Sequence, residues 1–187
     1  TWSEGPVWDK QKNRLLFSDF PENTVYQWNL KDGVSVFLKP SGFTGPSKYS
    51  SEPGSNGLAY NNEGQLLFCE HGDRRVSMIT GGNKGKITLA DKFEGKRFNS
   101  PNDLCVHSSG LIFFTDPPYG LPLKEKDPTR EIDAFGVYRI ALDGSVTMAI
   151  PDLKRPNGVT LSNDGKTLYV AQSHGKEAWI MSYPVDN

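Results

Sequence analysis

The chain has 187 residues, enough to bury a sizeable core, with 21 Lys and Arg against 22 Asp and Glu for a formal charge of -1. So balanced a charge excludes the basic footprint of a nucleic-acid binder, and no apolar run approaches the ~20 residues of a membrane-spanning helix. A small neutral or anionic ligand fits this composition better than a macromolecular polyanion.

Short runs of β-branched and aromatic residues, set apart by Gly, Asp and Asn turn signals, recur from end to end, and helical periodicity is hard to find. In chain order the first is "EGPVW" (4–8), followed by "NRLLFSD" (13–19). The same pairing returns as "NGLAY" (56–60) with "GQLLFCE" (64–70), "NDLCV" (102–106) with "GLIFFTD" (110–116), and "NGVTL" (157–161) with "KTLYVAQ" (166–172). From Asn56 to Glu70, Asn102 to Asp116 and Asn157 to Ala171 the offset is 14, and from Glu4 to Asp19 it is 15, because "DKQKN" carries one extra turn residue. A second strand pair follows in three copies, as "TVYQWNLKDGVSVFL" (24–38), "RVSMITGGNKGKITLA" (75–90) and "FGVYRIALDGSVTMAI" (135–150).

Each unit therefore reads as a four-stranded antiparallel meander, and the copies start 52, 46 and 55 residues apart, the period of a β-propeller blade. A β-sandwich has no reason to renew a polar residue at one register of every hairpin. The expected blades run over about 4–40, 56–92, 102–151 and 157–187, the last incomplete. Closed propellers need typically 4–8 blades, so the chain is expected to be part of a longer domain.

Inner strands of a propeller line its axis, so Glu4, Asn56, Asn102 and Asn157 are expected to converge there. One carboxylate and several amide oxygens suit a hard divalent cation. For any single Asn, a turn in which the side chain bonds its own backbone is the simpler reading; the set, with a Glu in the same slot, favours ligation. Cys69 and Cys105 lie in apolar runs without CxxC or Cys/His spacing and read as buried thiols. No Ser nucleophile elbow, HExxH or Ser/His/Asp pattern competes.

The segments "WSEGPVW", "NSPNDL", "FTDPPYG" and "RPNGV", with the runs between them, resemble the SMP-30/gluconolactonase/luciferin-regenerating-enzyme-like family of six-bladed propellers, in its gluconolactonase-type branch. The resemblance implies one divalent cation on the axis, calcium first with Mg, Mn or Zn as alternatives, held by Glu4, Asn102 and Asn157. An Asp from a later "DGM"-like motif, also the favoured base, would lie one further step of 46 to 55 residues beyond Asn157, past Asn187. The implied reaction is hydrolysis of a lactone, the metal polarising the carbonyl and activating water. Organophosphate-ester hydrolysis at the same site and a non-catalytic binding module with a structural ion are the alternatives.

Substrate contacts are expected from Asn56, His71, Asn102 and Asp116, with His71 also the one acid/base candidate within the chain. His107 and His174 read as surface residues. Asp19, Glu70 and Asp116 share one repeat position and are expected to cap turns or bond loop amides. Adjacent Arg74 and Arg75 should point to opposite faces, one paired with Asp73 or Glu70 and the other in solvent. "LPLKEKDPTREID" (121–133) reads as a surface insertion that lids the channel mouth. Ser100 stands where a related branch carries a substrate-binding Arg, so Arg-based recognition does not transfer. The protein is expected to be soluble, either cytoplasmic or exported after loss of an upstream leader.

Overall fold

The computed structural model describes residues 2–46, 49–80 and 85–185. Four antiparallel sheets follow one another along the chain and are arranged as blades of a β-propeller. Blade 1 holds β1 (Ser3–Asp9), β2 (Arg14–Asp19), β3 (Thr24–Asn29) and β4 (Gly33–Leu38). Blade 2 holds β5 (Ser55–Tyr60), β6 (Leu66–Glu70), β7 (Arg75–Thr80) and β8 (Gly85–Ala90); the expected turn at 81–84 lies outside the described residues. A small hairpin, β9 (Lys92–Phe93) and β10 (Lys96–Arg97), precedes blade 3, a device that the repeat pattern does not predict. Blade 3 holds β11 (Leu104–Val106), β12 (Ile112–Thr115), β13 (Phe135–Ile140) and β14 (Val146–Leu153). The described part of blade 4 has three strands, β15 (Pro156–Leu161), β16 (Thr167–Gln172) and β17 (Ile180–Pro184). Among the described residues no helix is long and apolar enough to cross a membrane.

The inner hairpins repeat because their turns repeat. The N–H of Gly64 donates to the Asn61 carbonyl at 3.0 Å, that of Gly110 to His107 at 2.9 Å and that of Gly165 to Ser162 at 2.9 Å. These three glycines have φ of 76°, 92° and 74°, a left-handed conformation that a Cβ would strain. Blade 1 has no glycine there, and Asn13 takes the left-handed position with φ 49°, consistent with its longer turn.

Side chains of the second strands alternate between two inter-blade cores. On β6, Leu66 and Phe68 join Leu16, Val25 and Leu58 between blades 1 and 2, whereas Leu67 and Cys69 join Val76, Phe98 and Phe114 between blades 2 and 3. On β12, Phe114 packs toward blade 2 and Phe113 toward Val159, Leu168 and Val170 of blade 4. Both faces of each such strand are thus buried, which is why the sequence runs are continuously apolar instead of alternating. Phe98, Phe114 and Tyr138 form a ring cluster with centroids 5.0 to 5.5 Å apart. Cys69 and Cys105 are free thiols. Burial pushes both thiol pKa values up, that of Cys105 to about 12.

Candidate functional site

Each expected axial residue sits at an irregularity of its inner strand. In β1 the register slips just after Glu4, in β5 it slips across Asn56 and Gly57, and in β15 across Asn157 and Gly158. In blade 3 the N–H of Asn102 donates to the Thr115 carbonyl and the N–H of Thr115 to the Asp103 carbonyl, so two residues face one. Such bulges re-aim side chains at the end of a sheet.

The heads of successive blades touch. The backbone of Gly5, at φ 56°, lies so close to the Asn56 carbonyl that a Cβ would overlap it. The Gly57 N–H donates to the Asn102 carbonyl at 2.7 Å, and the Thr115 hydroxyl donates to the Asn157 carbonyl at 2.7 Å. Ser18 and Ser55 hydroxyls meet at 3.0 Å between blades 1 and 2. Glu4, Asn56, Asn102 and Asn157 therefore follow one another at one end of the inner strands, with Asn56 and Asn102 buried and Glu4 and Asn157 partly so.

Asn102 is 2% exposed, and its side chain is polarised by its surroundings. Its Nδ2 lies 3.1 Å from Nε2 of His71, whose Nδ1 lies 3.2 Å from the Glu52 carbonyl. The carbonyl can only accept, so Nδ1 carries the proton and Nε2 accepts from the Asn102 amide. Burial drives the His71 pKa down to about 4, opposed by the bond to the Glu52 carbonyl and assisted by the Lys124 charge, so the ring is neutral near pH 7. The Asn102 Oδ1 is left buried with no hydrogen-bond partner among the described residues. Asn157 donates through Nδ2 to the Ser173 hydroxyl at 3.0 Å.

Asp103 is a residue that sequence reasoning missed. Its Oδ2 accepts the Val159 N–H at 2.9 Å, its own N–H donates to the Thr115 hydroxyl at 3.1 Å, and its Oδ1 lies over the bare backbone of Gly57. One residue thus ties together blades 2, 3 and 4 beside Asn102 at the strand ends. Burial first, with the Glu4 charge adding, lifts its pKa to about 6. The signal was present: the slot after each head is Gly5, Gly57 and Gly158 elsewhere, and only here an acid.

Asp116 is fully buried. Its Oδ2 accepts the Asn99 N–H at 2.8 Å and the Asn99 Nδ2 at 3.1 Å, and its Oδ1 accepts the Ser100 N–H at 2.7 Å. Ser100 Oγ in turn donates to the Pro117 carbonyl at 2.5 Å and accepts the Gly120 N–H at 3.0 Å. This network fixes the "NSPND" loop that delivers Asn102. At the equivalent place in blade 2, Glu70 accepts from Arg75 and Lys86, each at 2.8 Å, and from the Ser77 hydroxyl. The third member, Asp19, is buried with Oδ1 unpartnered among the described residues.

Three further expectations change. Arg75 pairs with Glu70 and Asp73, but Arg74 is 1% exposed instead of facing solvent. Its φ of 57° breaks strand alternation, and the guanidinium donates to the Phe98 and Thr129 carbonyls at 2.6 and 3.0 Å. His107 is buried against Gly165 of the neighbouring blade, its Nδ1 2.6 Å from the Ser109 hydroxyl. His174 is partly buried, in a bridge with Glu177. The insertion has a buried base, through Leu121, Asp127 and Ile132, and a short 3-10 turn at Lys124–Lys126. Lys124 Nζ lies 3.1 Å from Glu52 Oε1, between blades 1 and 2, and Glu125 Oε1 accepts from Arg155 Nε at 2.6 Å, ahead of blade 4.

Among the described residues no three His, Cys, Asp or Glu side chains gather as a metal-binding group. At the strand ends one carboxylate, Glu4, stands with the amides of Asn56, Asn102 and Asn157, and the buried Oδ1 of Asn102, without a partner among the described residues, is an acceptor short of a donor, which is what a hard cation would relieve.

Four sequential antiparallel blades with Glu4, Asn56, Asn102 and Asn157 at one end of their inner strands define a β-propeller. The chain belongs to the SMP-30/gluconolactonase/LRE-like family, whose model matches residues 2–187. It is 42% identical over 188 residues to a gluconolactonase of Zymomonas mobilis, covering 100% of this chain and 53% of that protein. The chain thus spans about half the length of that relative. A solved gluconolactonase from Xanthomonas campestris superposes with a TM-score of 0.84 at 34% identity, over 100% of this chain and 59% of that one. A calcium-binding regucalcin from Agrobacterium tumefaciens shares the fold, with a TM-score of 0.70 at 21% identity over 99% of this chain and 54% of that one.

Proposed function

We propose that the protein is a metal-dependent lactone hydrolase of the gluconolactonase type, built as a six-bladed propeller with one divalent cation, calcium first, on its axis. The observation that carries this reading is the Asn102 side chain: buried, held by its amide nitrogen on His71, and left with an oxygen that no described residue satisfies. Glu4, Asn102 and Asn157 would hold the cation, which when bound supplies a Lewis acid for the lactone carbonyl and acidifies water.

The chain's own groups prepare that site. Neutral His71 orients the Asn102 amide, Ser173 accepts from the Asn157 amide, and the Asp116 carboxyl fixes the loop before Asn102. Asn56 would meet substrate or its water, whereas His71, fully buried with both ring nitrogens bonded, would act only through Asn102. Burial of Asn102 keeps solvent from its oxygen, so the electrostatic pull exerted there is not diluted. Water adds to the carbonyl carbon, the ring C–O bond breaks, and a hydroxy acid is released.

The test is hydrolysis of glucono-δ-lactone by the whole protein, with a phosphotriester as comparison, before and after chelation. Activity should vanish with chelator and return with calcium, and Asn102→Ala should weaken calcium binding and lower kcat/KM about 100-fold or more. Chelator-insensitive turnover, or turnover of the phosphotriester alone, would overturn the reading.

A further inference from the structure

At the end of the inner strands away from Glu4 and Asn56, a groove of about 740 Å³ opens between blades 1 and 2. Along β1, Glu4 and Asp9 of the groove are about 16 Å of strand apart, so this is a place distinct from the strand-end site. Its walls are apolar, with Phe37 of β4, Tyr60 of β5, Leu66 of β6 and Ile79 of β7. The longer turn of blade 1 carries Gln11, whose side-chain amide lies over Gly64 of the blade 2 turn beside the groove.

The charged groups of the groove leave one sign on offer. Asp9, the one acid among its lining residues, is buried and engaged: Oδ2 accepts from Arg14 Nε at 2.9 Å and Oδ1 from the Lys12 N–H at 3.1 Å. Burial, and then the Asp9 charge and a bond to it, push the Tyr60 pKa up to about 12, so the phenol stays neutral. Arg14 is engaged in turn by Asp9, by Gln27 and by the Phe37 ring, whose centre lies 4.8 Å from the guanidinium carbon. Lys10 and Lys12 remain: both are exposed and line the groove, and neither enters an ion pair among the described residues.

We propose that this groove is a second ligand site, which takes an amphipathic anion: an apolar body laid on Phe37, Tyr60, Leu66 and Ile79, with one carboxylate turned to Lys10 and Lys12 at the rim. The volume lies within the ~300–1,000 Å³ of small-molecule sites, which are mainly apolar with a few polar groups that fix orientation. Charge selects among occupants of that size. A cation would have to displace Arg14 from Asp9 and from the Phe37 face, whereas an anion meets two ammonium groups that lack a partner carboxylate. A polyhydroxylated ligand would find Asp9, Arg14 and Tyr60 already bonded and would gain little from apolar walls. The inference does not rest on the lactone-hydrolase reading.

The experiment is isothermal titration calorimetry of the whole protein with decanoate, with chelator present so that no axial cation holds the carboxylate. One decanoate should bind per chain with a dissociation constant on the order of 0.1–1 mM, while acetate, which lacks the apolar body, should not bind. Decyltrimethylammonium, with the same tail and the opposite charge, should bind at least about 5-fold more weakly than decanoate, a difference that shrinks as salt is added. Replacing both exposed lysines, as Lys10→Gln with Lys12→Gln, should weaken decanoate about 5-fold at an unchanged melting temperature. Gln65→Glu keeps an oxygen for the Asn61 amide, bonded at 2.8 Å, adds a negative charge in the groove lining, and should weaken decanoate while strengthening decyltrimethylammonium. Asn102→Ala should leave decanoate binding as it is. No saturable decanoate binding, equal binding of the two tail-matched ions, affinity unchanged in both groove variants, or loss of binding in Asn102→Ala would overturn the assignment.

Discussion

Asp116 offers a sharp test of what holds the "NSPND" loop. Its carboxyl is fully buried, and burial raises its pKa from 3.8 to about 7 against the pull of the Asn99 and Ser100 donors. At about 1.4 kcal/mol per pH unit, that displacement corresponds to about 4 kcal/mol between the protonated and ionised folded states. The folded pKa lies above the unfolded one, so this contribution is complete below about pH 4 and is lost as pH rises through about 7. Asp116→Asn is a fixed imitation of the protonated carboxyl, with a second donor hydrogen facing the three N–H groups. The variant should be less stable than wild type by about 1–3 kcal/mol at pH 5, the range for a mismatched buried donor. Between pH 5 and 7 the gap should close by about 2 kcal/mol, because only the wild type sheds the titrating contribution. Urea denaturation of both proteins from pH 5 to 8 measures the difference directly. A gap constant over that range would mean that the amide donors outweigh burial and that Asp116 is ionised throughout, refuting the reasoning.

His71 should behave with the opposite sign. Its folded pKa of about 4 lies below the ordinary 6.5, so its contribution is complete above about pH 6.5 and is lost as pH falls toward 4; the difference between wild type and His71→Gln should grow by about 3 kcal/mol from pH 4 to 6.5 in the same titration. Gly5→Ala combines a left-handed φ of 56° with overlap on the Asn56 carbonyl and should lower unfolding free energy by about 2 kcal/mol or more, read by denaturant midpoint. Phe114→Ala removes a fully buried ring that packs on Phe98 and Tyr138 and should cost about 3–5 kcal/mol by the same measurement.

The propeller was legible because its determinants are local and repeated. Left-handed turn residues, a polar head and two-sided apolar strands recur at fixed register, and each constrains the backbone within a few residues. What stayed hidden depends on contacts across blades or on a break of alternation. The slot holding Phe20, His71, Pro117 and Gln172 is buried in every copy, and aligning the copies would have placed His71 inside. Arg74 could not be read from strand parity because its φ is left-handed and its acceptor Thr129 comes from the insertion. Among the described residues the β9–β10 hairpin has no counterpart in the other copies, so the repeat held no information on it.

The Asn102 and Asn157 amides are each bonded by a residue just past the second strand of a blade. An Asn side chain turns either end toward a partner with little intrinsic preference, and only its surroundings decide which end is presented. At Asn102 the decision passes from the Glu52 carbonyl, which fixes the proton on His71 Nδ1, to the bare Nε2, which takes the amide NH2 and leaves Oδ1 unclaimed. At Asn157 Nδ2 donates to the Ser173 hydroxyl, which as both donor and acceptor favours neither end of the amide. The Asn102 arrangement follows if its oxygen is what the proposed cation site requires, and an amide there would supply that oxygen without adding another negative charge beside Glu4 and Asp103.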